Sequence, residues 1–306
     1  MNNFKSQAWQ GNLLVCVGLL LALISCEGKK PASSSAASSA NHTVQDDLGR
    51  DVTLPVHPQR IIGLAPSMTE MLFAVADTAT IVGRTQNDDY PDAALSKPVV
   101  NNYPMDYEGL LALKPEVVFA PEGIISTEVA TQIQKLGIPV YFQKYDSVAD
   151  ILRGIRDLGK LLQREAQANA LADSLRQRLD AFASEAQEMQ KPKVLGIIWR
   201  DPIYVHGYNT IFSDKLRYAG GQNAVQEVFA QQSPALTREY ILQLNPDVII
   251  GGTFEEFDQN FFTLYPELKR INAYKNKRIY DVTDDLISRP SPRVVQSIAE
   301  LKNVLR

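Results

Sequence analysis

Nucleophiles and metal ligands are sparse in this chain of 306 residues, and their spacing does not suit catalysis. Both cysteines, Cys16 and Cys26, fall near the amino end, so the rest of the chain has no thiolate site and no disulfide framework. The three histidines, His42, His57 and His206, are scattered and lack metal-ligand spacing. Ser67 follows Pro66, but Glu70 stands three residues later. That pattern reads as a helix start with a capping box, not as a nucleophile beside a base. Glycine-flanked serine, phosphate-loop and dinucleotide motifs are all missing, so the residues point away from an enzyme. The chemistry that remains is recognition. Tyr90, Tyr103, Trp199 and Tyr204 sit in or beside loops, and such rings offer apolar area, a polar handle and little entropy to lose. Tyr103 reads equally well as a surface or packing residue, and Trp199 as core. Asp285 and Arg289, four residues apart, either present an acceptor and donors to a ligand or pair with each other.

Residues 1–26 read as an export signal. Leu13 to Ile24 is too short an apolar run to span a bilayer, and it ends at Ser25-Cys26. Residues 27–45 are a Ser/Ala-rich stretch that cannot bury enough surface to order itself, and they read as a flexible tether. The net charge of −4 leaves no basic footprint for nucleic acid.

From Leu48 onward, short apolar runs alternate with helical spacing, as in parallel sheets built from βαβ units. Arg60 to Leu64, Val117 to Ala120 and Ile138 to Phe142 read as strands, and Ile81 to Gly83 as another. Residues 146–190 carry apolar positions at helical intervals, from Ile151 through Leu179 to Phe182, and read as one long or slightly broken helix. This predicts two similar α/β lobes, residues 46–145 and 191–306, joined by that helix with a cleft between them. A repeat supports the duplication. Glu108, Leu111, Leu113, Pro115 and Val117 match Glu239, Leu242, Leu244, Pro246 and Val248 at constant offset. Ligands favour such clefts and the carboxyl ends of parallel strands.

Several local patterns resemble the helical-backbone class of binding proteins of ABC importers, which capture vitamin B12, haem and ferric siderophores. Ser25-Cys26 resembles a lipobox. The stretch from Arg60 to Glu70 is similar to the first strand and helix entry of that class. Ile81 to Thr85 with Asp89-Tyr90-Pro91 resembles its next strand and cleft loop. Leu113 to Val118 and Arg289 to Arg293 resemble two further recurrent stretches. The resemblance spans about Leu48 to Leu305 and is nearest the B12-binding member. It implies lipidation at Cys26 and a periplasmic protein held to a membrane through that anchor alone. It also implies docking of Glu108 and Glu239 on arginines of a permease dimer driven by its ATPase, as charge-assisted pairs. Tyr90, Tyr103, Trp199, Tyr204, Asp285 and Arg289 would line the ligand cleft, with Arg293 structural. The chain would act as a monomer without a resident cofactor or metal. The ligand would be a corrinoid, or alternatively haem or a ferric siderophore. Tyr103 and Ser233 stand where the B12-binding member has tryptophans, which thins the aromatic cage. A single connecting helix implies small closure of the lobes.

Overall fold

The computed structural model describes residues 40–306. The export signal, Cys26 and the tether up to Ser39 lie outside the described residues. The end of the expected tether is ordered strand: β1 (Asn41–Gln45) pairs antiparallel with β2 (Asp51–Pro55). The buried Asp46 carboxylate closes the turn between them. It accepts from the amides of Leu48, Arg50 and Phe142 and from the Arg50 guanidinium. Charged and polar turn residues thus make the hairpin that composition alone hides.

In the N-terminal lobe β3 (Ile61–Gly63), β4 (Val117–Pro121) and β5 (Val140–Gln143) form a parallel sheet in the order β3-β4-β5. Every residue in these strands is buried. That is why they read as apolar runs without alternation: helices cover both faces. The expected strand at Ile81 shrinks to one parallel bridge with Ile61. Helices α1 (Pro66–Val75), α2 (Tyr107–Leu113) and α3 (Thr127–Lys135) complete the lobe.

The stretch 146–190 is helical, but folded as two pieces. A capping box from Ser147 and Asp150 starts α4 (Val148–Leu161), and α5 (Glu165–Gln187) follows after a three-residue turn. The turn is possible because Gln163 takes a left-handed φ of 55°. The helices pack side by side, as the Arg156–Asp173 ion pair at 2.6 Å shows. Gly159 permits the approach: a Cβ there would lie 2.4 Å from that of Ala168. Helical spacing resumes on the far side of the turn, and no glycine or proline stands at residues 162–164 to announce the fold-back.

The C-terminal lobe holds β6 (Lys193–Arg200), β7 (Ile203–Val205), α6 (Ile211–Ala219), β8 (Gln222–Asn223), α7 (Arg238–Leu244) and β9 (Val248–Ile250). Short helices α8 (Phe254–Glu256), α9 (Phe262–Leu264) and α10 (Asn272–Lys275) precede β10 (Ile279–Tyr280), α11 (Asp284–Ser288) and α12 (Val294–Leu305). The sheet runs β10-β9-β6-β7, with β8 also on β6; only β7 is antiparallel to its neighbour.

The sequence repeat is a structural repeat. Helices α2 and α7 each have seven residues, and Lys114 and Asn245 end them in left-handed conformations. Arg60 donates to the terminal carbonyls of α2 at Leu113 and Lys114; Lys193 donates to that of α7 at Leu244. Glu116 then caps the amide of Arg60, as Asp247 caps that of Lys193. One apolar core runs from Met68 and Phe119, through Ile155 and Leu179, to Phe212, Ile250 and Leu301. The two lobes therefore share buried surface instead of hanging on a free linker.

Gly159→Val should lower stability by about 1–3 kcal/mol, the usual cost of overpacking. Denaturant unfolding reads this directly. An unchanged midpoint would mean that α4 and α5 do not approach so closely.

Candidate binding cleft

The loops at the carboxyl ends of the strands carry the candidate residues. Asp89 and Tyr90 follow the bridge at Ile81 in the N-terminal lobe. Asn102, beside Tyr103, donates to the carbonyl of Leu64 at the end of β3. Trp199 and Tyr204 face each other in register on β6 and β7. Arg289 closes α11 and Arg293 precedes α12.

A charged cluster joins the lobes. Glu70, on α1, has a side chain only 1 % exposed. Its Oε2 accepts from Arg293 Nε at 2.7 Å, and its Oε1 accepts from Arg293 and from Arg289 Nη1 at 3.2 Å. Arg289 Nη1 also reaches Asp89 Oδ1 at 2.7 Å, and its Nη2 reaches Asp285 Oδ1 at 2.7 Å. The Arg293 guanidinium lies over the Tyr90 ring at 4.2 Å, a cation–π contact. Three carboxylates thus face two guanidinium groups. The hydrogen bond from Arg289 holds Asp89 below the usual carboxylate range. Burial, aided by the neighbouring charge of Asp89, holds Asp285 above it. Among the described residues no group of His, Cys, Asp and Glu could hold a metal ion.

The structure brings Tyr90, Asp285 and Arg289 together. Asp285 and Arg289 do pair locally, and Arg289 also crosses to the other lobe. Tyr103 lies on another loop of the N-terminal lobe, and Trp199 and Tyr204 lie on the paired strands β6 and β7 of the other lobe. Trp199 is 62 % exposed, not core, and its indole N–H donates to the carbonyl of Asp201 at 2.8 Å. Tyr103 is 88 % exposed, and Tyr90 and Tyr204 are partly exposed. Glu108 and Glu239 are exposed at the second position of α2 and of α7, the equivalent place in each lobe. Arg238 lies 3.9 Å from Glu239.

The expected capping box at Ser67 and Glu70 is not formed. Ala65 is the N-cap of α1 with no side-chain cap, and Glu70 turns inward to the arginines. Sequence reasoning also passes over Asp88, which is buried and accepts from Thr69 Oγ1 and Thr85 N. The signal for Glu70 was faint: it stands in a helix that is apolar nearly all round, and two arginines near the last helix need a counter-charge. His206 is largely buried and stacked on Phe212 at 4.4 Å, so its ring belongs to the packing of the C-terminal lobe.

Residues 61–286, nearly three quarters of the chain, match the model of a family described as periplasmic binding protein. The chain belongs to that family. This binding protein is 28% identical, over 94% of its length and 95% of the relative's, to an uncharacterized ABC transporter substrate-binding lipoprotein of Bacillus subtilis. It is 26% identical, over 89% of its own length and 76% of the relative's, to a cobalamin-binding protein of Halobacterium salinarum. A periplasmic haem-binding protein from Roseiflexus shares the fold with a TM-score of 0.69 at 23% identity, covering 81% of this chain and 99% of that one. The fold is that of the B12- and haem-binding class, two α/β lobes with mainly parallel sheets.

Burial, then the nearby Lys215 charge, lowers the pKa of His206 to about 4. Between pH 6.5 and 4 the unfolded chain binds a proton that the folded chain refuses, so stability falls as pH drops through that window. The loss should reach about 3 kcal/mol. His206→Asn should remove this share of the pH dependence in thermal or denaturant unfolding; a parallel pH profile in the variant would refute the assignment.

Proposed function

We propose that this binding protein is the substrate-capturing lipoprotein of an ABC importer, and that it takes a corrinoid such as vitamin B12. The observation that carries the ligand reading is the combination of exposed aromatic rings with a cleft cluster that holds more carboxylate than guanidinium. A corrin is a broad, mostly flat ring with neutral amide arms. Trp199, Tyr204, Tyr90 and Tyr103 suit the ring, and Asp285 with Arg289 suits the amides as acceptor and donor. Ferric siderophores and other strongly anionic ligands fit less well. Arg84, Arg200, Arg289 and Arg293 all have protein partners already. The cobalamin-binding relative supports the same choice.

Delivery would use Glu108 and Glu239. Their equivalent positions on α2 and α7 suit a two-fold permease that offers an arginine to each lobe. Carboxylate–guanidinium pairs fix orientation and on-rate more than affinity. Anchoring would use a lipid on Cys26, with the following Ser/Ala stretch as the tether and the folded lobes in the periplasm. Among the described residues no helix is long and apolar enough to cross a membrane.

Haem is the second reading. Tyr103 favours it, because a phenol as open as this one is a credible axial ligand to iron.

Calorimetric titration of the full chain with cyanocobalamin, with haemin as control, decides between them. One-to-one binding of cyanocobalamin is expected. Trp199→Ala should weaken it by about tenfold or more, the cost of losing an aromatic anchor. Binding of haemin with a red-shifted absorbance band, and none of cyanocobalamin, would discard the corrinoid. Glu108→Ala with Glu239→Ala should leave ligand affinity unchanged and depress uptake in cells. Normal uptake by that double variant would remove the docking role.

A further inference from the structure

Two buried charged residues, one per lobe, hold the loops that meet at the Asp89–Arg289 contact. In the C-terminal lobe this residue is Lys215, on α6, which is fully buried. Its ammonium donates to the carbonyls of Leu286 at 2.7 Å, Ile287 at 2.9 Å and Arg289 at 3.0 Å. These carbonyls close the carboxyl end of α11, where backbone acceptors have no helical partner. An ammonium has three N–H donors, so the match is complete. Burying such a group is expensive, and burial pushes Lys215 down to about 7. A methionine would fill the same space at far lower cost but could not hold three carbonyls.

In the N-terminal lobe the residue is Asp88. It accepts from Thr69 Oγ1 at 2.6 Å and from the amide of Thr85 at 2.8 Å, and it also pairs with the Thr85 hydroxyl. Thr69 is the neighbour of Glu70 on α1, and Asp88 is the neighbour of Asp89. The Thr69–Asp88 hydrogen bond therefore sets the spacing of the two carboxylates that Arg289 reaches across the lobes.

We infer that Lys215 and Asp88 are paired positioning residues that hold Arg289 in register with Glu70 and Asp89 and so fix the opening of the cleft. The inference rests on the geometry of the lobe contact and holds whichever ligand fills the cleft. Neither residue is proposed to touch the ligand.

Hydrogen exchange on the full, ligand-free chain tests it without any ligand. Lys215→Met should raise exchange about tenfold or more in residues 284–293, and also in residues 85–91 of the other lobe, while β4 stays protected. Asp88→Asn should do the converse, loosening 85–91 and then 284–293. In an Arg289→Gln background, which removes that side chain's contacts with Glu70 and Asp89 while Arg293 keeps its own with Glu70 and Tyr90, Lys215→Met should add less at 85–91 than it does in the unsubstituted chain. A purely local structural role would loosen only the lobe that carries the substitution, and that outcome overturns the inference. So does a uniform rise across the chain, including β4. If Lys215→Met does not fold, the Asp88→Asn experiment and its effect on 284–293 decide by themselves.

Discussion

Glu70 occupies a place where a carboxylate survives only with partners. Its side chain is almost wholly buried on α1, and water cannot solvate it. Two guanidinium groups from the other lobe supply that solvation, Arg293 in a forked geometry and Arg289 from the side. A pair like this is weak evidence for net stability, because desolvation offsets much of the attraction. Breaking it is another matter: an unpaired buried charge costs about 3–5 kcal/mol. The consequence is geometric. The lobes cannot separate far at this point without exposing or stranding Glu70, so the charge fixes their relation more than it strengthens the fold.

The shared core acts in the same direction. Its apolar contacts pass from the N-terminal lobe through α4 and α5 into α6 and α12 without a break. A two-lobed protein hinged on flexible strands would split its core in two. Here the small satellite cores belong to the outer halves of each lobe, and the central one belongs to both. The hairpin of α4 on α5 widens this shared surface beyond what a single straight helix offers. That packing, more than helix stiffness, is what a separation of the lobes would have to break.

The sequence made the layers legible, and the reason is periodicity. Strands buried on both faces, helices with one apolar face, and a repeated Glu, Leu, Leu, Pro, Val pattern each follow from local rules. The structure extends the repeat beyond those residues, since Arg60 and Lys193 perform the same capping task in the two lobes. What escaped was whatever depends on distant partners. Glu70 was read as a cap because Ser67 stands three residues before it. The arginines that claim it are 219 and 223 residues away. Trp199 stood open between core and cleft, because its exposure depends on how far the β6–β7 hairpin projects. The fold-back at Gln163 depends on a left-handed residue with no glycine to announce it. Asn41–Gln45 joined the fold through Asp46, whose contacts span up to 96 residues.

A division of labour follows from these contrasts. Groups that hold the cleft together are buried, charged and fully partnered: Glu70, Arg289, Arg293, Asp88 and Lys215. The rings Tyr103 and Trp199 are mostly open, and apart from the indole bond of Trp199 they are free to meet a ligand. Substituting a buried member should disturb geometry in both lobes, because Glu70, Arg289 and Arg293 satisfy one another across the lobes while Asp88 and Lys215 hold the segments that carry them. Substituting an exposed ring changes the surface and leaves the frame intact. The frame itself tolerates little change, since every charge in it answers to a partner on another element.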